Sequence, residues 1–329
     1  MNKKPKRKTS VLSNPNKHVE LDSGNKNNHF TWQQAMEGFL FLKKAHGISD
    51  ITIKGYSNHI SHFYNRFINS WNDEYQTKQS IMNHMADDIK PATYNLRLIY
   101  LRAFFDWCIE EGFIHVNPLE HFKKRKAEPR IVDIPQEVIK RLLTLPDLNT
   151  FAGLRDYALM LCTIDCGVRP SEAFQLVPYS FDLPRYNVTI AAEISKTRSS
   201  RILPILPYTS NILRRLISVR LVEWSETVPV FCNNEGNKLT RHTWNDRLEI
   251  YSRKLEFKIR PYDLRHFFAI TYLRNGGSAF ALQKMLGHEN MDMSKRYLNI
   301  TGQDLKDVHQ QASPLNNLIT KKKTRIRKL

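Results

Sequence analysis

A basic segment with a proline near each end, NPLEHFKKRKAEPRI at residues 117–131, divides the chain into two stretches of different pattern. Before it, apolar residues recur at helical spacing. After it, helical patterns flank a single pair of adjacent strand patterns. At 329 residues the chain is longer than one typical core and suits about two domains. We therefore expect two mainly helical domains joined by a basic linker.

The first stretch, residues 29–116, predicts a small all-α domain of four helices with short connections. The clearest helix is PATYNLRLIYLRAFFDWCIEEG, which begins with Pro91 at a first-turn position and stops at Gly112. Its apolar spacing predicts a buried stripe of Leu98, Leu101, Phe105, Cys108 and Ile109. The other helices are assigned to FTWQQAMEGFLFLKKAHG, TIKGYSNHISHFYNRFI and KQSIMNHMADDI. Thr31 and Gln34 have the spacing of a capping box at the start of the first.

The second stretch, residues 132–312, predicts an α-rich domain with one small antiparallel sheet. The segments YNVTIAAEI, SKTRSS and RILPIL have the pattern of strand, turn and strand. Helices are predicted on both sides of this hairpin, at 135–145, 151–166, from Pro170 onward, and at 208–222, 240–256, 261–275, 278–286 and 292–299.

The net charge of +18 favours a polyanionic partner, most simply nucleic acid. Residues 1–28, expected to be a disordered arm, hold seven Lys or Arg and two acidic residues, and residues 313–329 form a basic tail. The body between these ends is basic as well. Within the linker, the candidate contacts to a nucleic-acid backbone are Lys123, Lys124, Arg125 and Lys126. A solvated hinge is the alternative for this segment.

Several classes of protein do not fit the sequence. No run approaches the ~18 apolar residues of a membrane span, and polar residues follow the basic start MNKKPKRK. We therefore expect a soluble, cytoplasmic protein with no membrane partner. The four cysteines form neither a disulfide framework nor a zinc pattern, and no acidic cluster or glycine-rich loop with a lysine is present. The sequence predicts no metal and no cofactor.

Five residues of the second stretch stand out by residue type and position. They are Arg169 between a helix-ending glycine and a helix-starting proline, Lys196 in the hairpin turn, Arg265 early in a helix, and His288 and Tyr297 in LGHENMDMSKRYLNI. Taken singly, a surface arginine, a turn lysine, a hydrogen-bonded histidine and a packed tyrosine are the more common explanations. Their combination and order carry more information than any one of them.

Together these segments resemble the tyrosine recombinases, the phage-integrase family that includes lambda integrase and the Cre- and Xer-type enzymes. The resemblance covers about residues 30–310 and lies in four segments: LRDYALMLCTIDCGVRPSEAFQL, SKTRSSRILPI, YDLRHFFAITYL and LQKMLGHENMDMSKRY. It implies that the first domain is a core-binding domain of four helices with a SAM-like fold. It also implies that the second domain is catalytic.

The resemblance implies a role for each residue. Tyr297 would attack a DNA phosphate and form a 3′-phosphotyrosine. Arg169 and Arg265 would hold the non-bridging oxygens, for which planar, permanently charged guanidiniums are suited. Lys196 would protonate the leaving 5′ oxygen, and His288 would hydrogen-bond the phosphate. A phenol is a poor nucleophile at neutral pH, and the same cations would favour its ionised form.

The chain departs from the family pattern at Tyr262, where a histidine usually stands three residues before the second arginine. That histidine is thought to help proton transfer, and a phenol with an ordinary pKa near ~10 is a poor proton shuttle at neutral pH. His266, one helical turn along, is predicted to pack or bind elsewhere. We expect reduced or retuned catalysis rather than inactivity. Glu172 matches a position that supports the site from behind the arginines.

The function implied by the resemblance is site-specific DNA recombination, as an integrase or resolvase of a mobile element. It would need neither metal nor ATP, and a homotetramer would act on two double-stranded DNA sites, with room for an accessory directionality factor. A type IB topoisomerase-like nicking and closing enzyme would use the same residues. A DNA-binding regulator that has lost catalysis is the other alternative, and Tyr262 alone argues for it.

Overall fold

The computed structural model describes residues 30–127 and 130–291, and further along the chain 294, 297, 309–310 and 313–315. It divides into two compact units, Met1–Pro129 and Arg130–Leu329. The predicted arm and most of the predicted basic tail lie outside the described residues. No helix in the described part of the chain is long and apolar enough to cross a membrane.

Among its described residues the first unit has four α-helices, as predicted. They are α1 (Trp32–Ala45), α2 (Asp50–Arg66), α3 (Glu74–Met85) and α4 (Pro91–Glu110), with a 3₁₀ helix at Ile68–Asn72 between α2 and α3. The first helix begins at a capping box, in which the Gln34 amide donates to the Thr31 hydroxyl and the Gln34 side chain accepts from the Thr31 amide. Because such caps act within one helical turn, the start of this helix was predictable from sequence.

The central helix α4 buries a wider face than its sequence predicts. Leu98, Leu101, Phe105 and Cys108 are buried, but Ile109 is 36% exposed, so its assignment to the core was wrong. Phe104 and Trp107 are buried as well. The reason is that α4 packs against both α1 and α2, so its buried surface extends over two neighbouring faces.

In its described residues the second unit is α-rich with one small sheet, which confirms the predicted fold class. Its helices are α5 (Gln136–Leu143), α6 (Phe151–Cys166), α7 (Pro170–Ala173), α8 (Pro207–Ser218), α9 (Arg241–Leu255), α10 (Pro261–Arg274) and α11 (Ala279–Leu286), with a 3₁₀ helix at Pro178–Ser180. The nearly fully buried α6 is the centre of this unit, and α8 and α10 pack against it. Of the helix predicted at 292–299, Ser294 and Tyr297 are helical and the other six residues lie outside the described residues.

The sheet contains three antiparallel strands in the order β1 (Phe181–Asp182), β2 (Asn187–Ile190) and β3 (Arg201–Pro204). The predicted hairpin is therefore present, but its first strand ends earlier than predicted. Ala191 O accepts from the backbone amides of Ile194 and Ser195, and this turn ends β2 at Ile190. The short β1 was not predicted, because two residues are too few to show an alternating pattern.

A buried histidine makes the first unit sensitive to acid. His84 of α3 is fully buried beside Phe63 and Phe67, and neither of its ring nitrogens has a hydrogen-bond partner among the described residues. Burial, and then the charge of Arg97, lowers the pKa of His84 to about 3. An unfolded histidine titrates near ~6.5, so between these values the unfolded chain binds a proton that the folded unit does not. The free energy of unfolding therefore falls as the pH drops below 6.5.

We expect His84→Phe to weaken this pH dependence, because the ring stays apolar and can no longer be protonated. Between pH 6.5 and 5 the wild type should lose at most about 2 kcal/mol more than the variant. Amide hydrogen exchange of α2 and α4, corrected for the intrinsic exchange rate, measures the difference. The exposed His121→Gln is the matched control for removal of a histidine. Equal pH slopes for wild type and His84→Phe would contradict the explanation.

Candidate active site

Arg169 lies in a short connection that is held from both sides. α6 ends at Gly167, whose φ of 67° is left-handed, and α7 begins directly after Arg169. A Cβ at Gly167 would come within 2.3 Å of the Phe268 ring, so only glycine lets the chain turn here. The guanidinium of Arg169 donates from Nη1 to Glu172 Oε1 at 3.0 Å and from Nη2 to Gly287 O at 2.7 Å. The side chain is therefore fixed in one orientation.

Arg265, in the second turn of α10, joins the ends of two helices. Its Nη1 donates to Gly167 O at 2.5 Å and its Nη2 to Leu286 O at 2.8 Å. These carbonyls lie at the C-terminal ends of α6 and α11, where a helix has unpaired carbonyls and partial negative charge. Burial, and then the charge of Arg169, lowers the pKa of Arg265 to about 10. The guanidinium is therefore still charged at neutral pH.

Glu172 is fully buried between Arg169 and Arg201. Arg201 donates to both carboxylate oxygens, at 3.2 and 2.5 Å, and its Nε donates to Met285 O at 3.0 Å. Burial raises the pKa of Glu172, but the hydrogen bonds and charges of the two arginines outweigh it, so the net pKa is lowered. Arg201 was missed in the sequence, because Arg198 lies three residues before it and no local pattern separates the two.

The cluster carries an excess of positive charge. Arg169, Arg201 and Arg265 are three guanidiniums around the single carboxylate of Glu172, so these four residues have a net charge of +2. Unbalanced charge in a buried site is unfavourable until a partner of opposite sign binds. Planar guanidiniums at fixed positions are suited to an anion with several oxygens, such as a phosphate group.

His288 follows α11 and lies between the arginine cluster and Tyr297. Its Nε2 is 3.4 Å from Arg265 Nη2, and its Nδ1 is 3.0 Å from Ser294 Oγ. Its ring is parallel to the Tyr297 ring within 6°, with the ring centroids 6.5 Å apart. Three predicted site residues that are far apart in sequence thus lie together. Ser294, which orients the imidazole, was not predicted.

The Tyr297 hydroxyl is 2.8 Å from His266 Nδ1. The prediction that His266 packs or binds elsewhere was therefore wrong. Residues 262 and 266 share one face of α10, and it is the second of them that reaches Tyr297. Tyr297 is buried in a small apolar cluster with Phe268, Leu282 and Leu286. Burial lowers the pKa of His266, so the ring is neutral at pH 7 and its Nδ1 can accept from the tyrosine hydroxyl.

Two predicted site residues lie outside this hydrogen-bonded cluster. Tyr262 is 39% exposed, and its hydroxyl makes no hydrogen bond to any described residue. Lys196 is exposed on the connection between β2 and β3. Residues of this connection, among them Thr197, line an open groove of about 660 Å³ together with Gly287 and His288. The connection that carries Lys196 thus borders the cluster across an open space that a ligand can enter.

The basic segment of the linker packs against the first unit. The Arg125 guanidinium lies over the Tyr94 ring, 3.8 Å from its centroid. Asn95 exchanges two hydrogen bonds of 2.8 Å with the Arg125 backbone. The side chains that are exposed beside it are those of Lys123, Lys124 and Lys126. The segment is therefore fastened to α4 at Arg125, which is exposed like the three lysines.

The chain matches the model of the phage integrase family over residues 133–303. It is similar to the tyrosine recombinase XerC of Serratia marcescens, with 26% identity over 294 residues that cover 86% of this chain and 95% of that protein. The XerC of Actinobacillus pleuropneumoniae serotype 7 (strain AP76) is 32% identical over 222 residues, 67% of this chain and 71% of that protein.

Two solved structures have a similar fold. A lambda integrase dimer bound to a COC′ core site matches with a TM-score of 0.65 and 15% identity, over 80% of this chain and 97% of that chain. The Tn1549 transposon integrase in complex with transposon right end DNA matches with a TM-score of 0.65 and 16% identity, over 80% and 94%. At this identity the likeness concerns the fold.

We expect Glu172→Gln to destabilise the second unit by about 3–5 kcal/mol, because two buried guanidiniums lose their counter-ion. Adding Arg201→Met should recover part of this loss, since one of the uncompensated charges is then removed as well. Amide hydrogen exchange of α6, recorded at increasing urea concentrations, measures the free energy of unfolding of both variants. Glu137→Gln, which removes an exposed partner of Lys140, is the control and should change stability little. A loss as small as that of the control would show that the buried charge is not needed for folding.

Proposed function

Because the chain belongs to the phage integrase family, and is thus a tyrosine recombinase that breaks and rejoins DNA, we propose that it recombines specific double-stranded sites through a covalent link from Tyr297 to a DNA 3′ phosphate. The observation that carries the proposal is the buried guanidinium cluster with its excess positive charge. His288 lies between this cluster and Tyr297. Its Nε2 is 3.4 Å from Arg265 Nη2, and its ring is parallel to the Tyr297 ring.

The proposed reaction is an in-line displacement at phosphorus. The Tyr297 Oη–P bond forms while the bond from phosphorus to the 5′ oxygen breaks, and Lys196 gives that oxygen its proton. Arg169 and Arg265 stabilise the charge that builds on the non-bridging oxygens, and His288 hydrogen-bonds one of them. The phosphotyrosine conserves the energy of the broken bond. Rejoining by an incoming 5′ hydroxyl therefore needs neither ATP nor, in this proposal, a metal ion.

Double-stranded DNA is the proposed partner. The lambda and Tn1549 integrases with this fold are both known as DNA complexes, which supports the proposal. The exposed lysines of the linker add contacts to backbone phosphates, which position a protein without specifying sequence. We further propose a homotetramer on two sites, with an accessory directionality factor where one direction is required. A mobile element is the proposed source of the sites, so they are expected in DNA that flanks its gene.

The exposed Tyr262 favours one competing function. If no group accepts the proton of Tyr297, the chain would bind its site without cleaving it and act as a DNA-binding regulator. A topoisomerase-like nicking and closing enzyme would instead relax plasmids that lack any target site. The three functions differ in whether cleavage occurs and whether it depends on a particular sequence.

We expect Tyr297→Phe to bind DNA as the wild type does and to form no covalent adduct, because only the attacking oxygen is lost. The measurement uses nicked duplexes drawn from DNA flanking the gene. After cleavage, the short fragment that carries the released 5′ hydroxyl diffuses away, so the covalent adduct cannot be rejoined. Denaturing gels separate adducts from free protein. An adduct from the wild type alone would support the proposal, and sequencing the attached strand would identify the site.

Three other outcomes contradict the proposal. Adducts from both proteins would mean that a residue other than Tyr297 is the nucleophile. Tight binding by both without any adduct would favour the regulator, and Tyr262→His would then be the variant to test for restored cleavage. Relaxation of plasmids without a site would favour the topoisomerase-like activity.

We expect replacement of Lys123, Lys124 and Lys126 by glutamine to weaken DNA binding for all sequences alike. If each lysine contacts one phosphate, the slope of log K against log salt should become less steep by up to about 0.9 per residue. Arg125→Gln is the matched comparison, because the Arg125 guanidinium packs on the Tyr94 ring. This variant should mainly lower the stability of the first unit and should change the salt slope less than the triple variant does. An unchanged slope for the triple variant would exclude these lysines from the interface.

A further inference from the structure

The contact between His266 and Tyr297 is not used by the reaction as set out above. In that scheme the phenol loses a proton when it attacks phosphorus, and no acceptor for this proton is assigned. Tyr262, at the position where the family pattern has a histidine, is partly exposed, and its hydroxyl has no hydrogen bond to the described residues. His266 Nδ1, by contrast, lies 2.8 Å from the oxygen that would react.

The surroundings of His266 favour its neutral form. Its pKa is lowered by burial first and by the charges of Arg265 and Arg130, while Asp263 opposes them. Asp263 is itself engaged, because it accepts from the Arg260 amide at 2.9 Å and from Arg130 Nη2 at 3.3 Å. Among the described residues, these groups and Tyr297 are the charged and titratable groups around the ring. A neutral imidazole with an unprotonated Nδ1 can accept a hydrogen bond from the phenol.

We propose that His266 is the proton acceptor for Tyr297, a role that rests on Tyr297 being the nucleophile. As Oη bonds to phosphorus, the Oη–H bond breaks and the proton moves to Nδ1, which leaves an imidazolium. When an incoming 5′ hydroxyl displaces the tyrosine, the same proton returns to Oη. The proton released on cleavage is thus kept beside the phenol, and Lys196 serves only the 5′ oxygen. His266 takes the part that Tyr262 does not perform.

The test compares His266→Asn with wild type by the rate of adduct formation on the nicked duplex. Asparagine can still accept a hydrogen bond from Tyr297, but it cannot take up a proton. We expect DNA binding to be unchanged and the rate at pH 7 to fall by about 10²- to 10⁴-fold, the usual contribution of a general base. The rate of the variant should then rise with pH as the phenol ionises. His242→Asn, the same change at an exposed position of α9, is the control.

A second substrate separates loss of the proton acceptor from general damage to the site. In a duplex whose bridging 5′ oxygen is replaced by sulfur, the leaving group needs no proton. Lys196→Ala should be rescued on this substrate, and His266→Asn should not. Rescue of His266→Asn would assign the residue to the leaving group and overturn the proposal. The proposal would also be overturned if Tyr262→Phe showed the slow rate that rises with pH, while His266→Asn behaved like the wild type.

Nitrogen NMR of the wild type tests the proposal without relying on a folded His266 variant. At pH 7 the Nδ1 of His266 should be unprotonated, and its resonance should move in Tyr297→Phe. A protonated Nδ1 would overturn the proposal, because it could not accept the phenol proton.

The proposal for Tyr297 and the proposal for His266 would fail on different results. If the wild type forms no adduct, the nucleophile assignment falls and this inference with it. If it forms one and His266→Asn matches its rate and pH profile, only this inference falls.

Discussion

The architecture of the site depends on the hydrogen bonds from Arg265 to the carbonyl ends of two helices. α6 and α11 both finish at left-handed glycines, and their last carbonyls carry partial negative charge. Two such ends repel each other unless a cation lies between them. Arg265 supplies both the charge and the donors, and Arg169 does the same for Gly287 O. The arginines that are proposed to bind phosphate are therefore also the groups that hold these helices together.

Glu172 determines how far the cluster is neutralised. One carboxylate is enough to orient Arg169 and Arg201, and it leaves the four-residue cluster with a net charge of +2. A second acid would stabilise the free protein, but it would also remove the attraction for an anion. The excess positive charge thus opposes folding of the free protein and favours binding of an anion such as phosphate, as expected where a binding site is formed at the expense of stability.

Two neighbouring residues of α10 serve different parts of the site. Successive residues of a helix point about 100° apart, so Arg265 is directed to the carbonyl ends while His266 meets Tyr297. The proposed charge stabilisation by Arg265 and the proposed proton acceptance by His266 would thereby be separated in space, although the two residues are adjacent in sequence. The apolar cluster of Phe268, Leu282 and Leu286 surrounds Tyr297 and contributes to the burial on that side.

The sequence by itself determined the helices, the turn at Gly167 and the residue types of the site, because helix periodicity, capping and glycine turns act over a few residues. It was less reliable at the ends and faces of elements, as Ile109 and the early end of β2 show. Only the tertiary structure decided that Arg201 binds Glu172 and that His266 meets Tyr297. Those partners are 29 and 31 positions apart. Their contacts depend on how β3, α7, α10 and the segment that contains Tyr297 pack, and no local pattern encodes that.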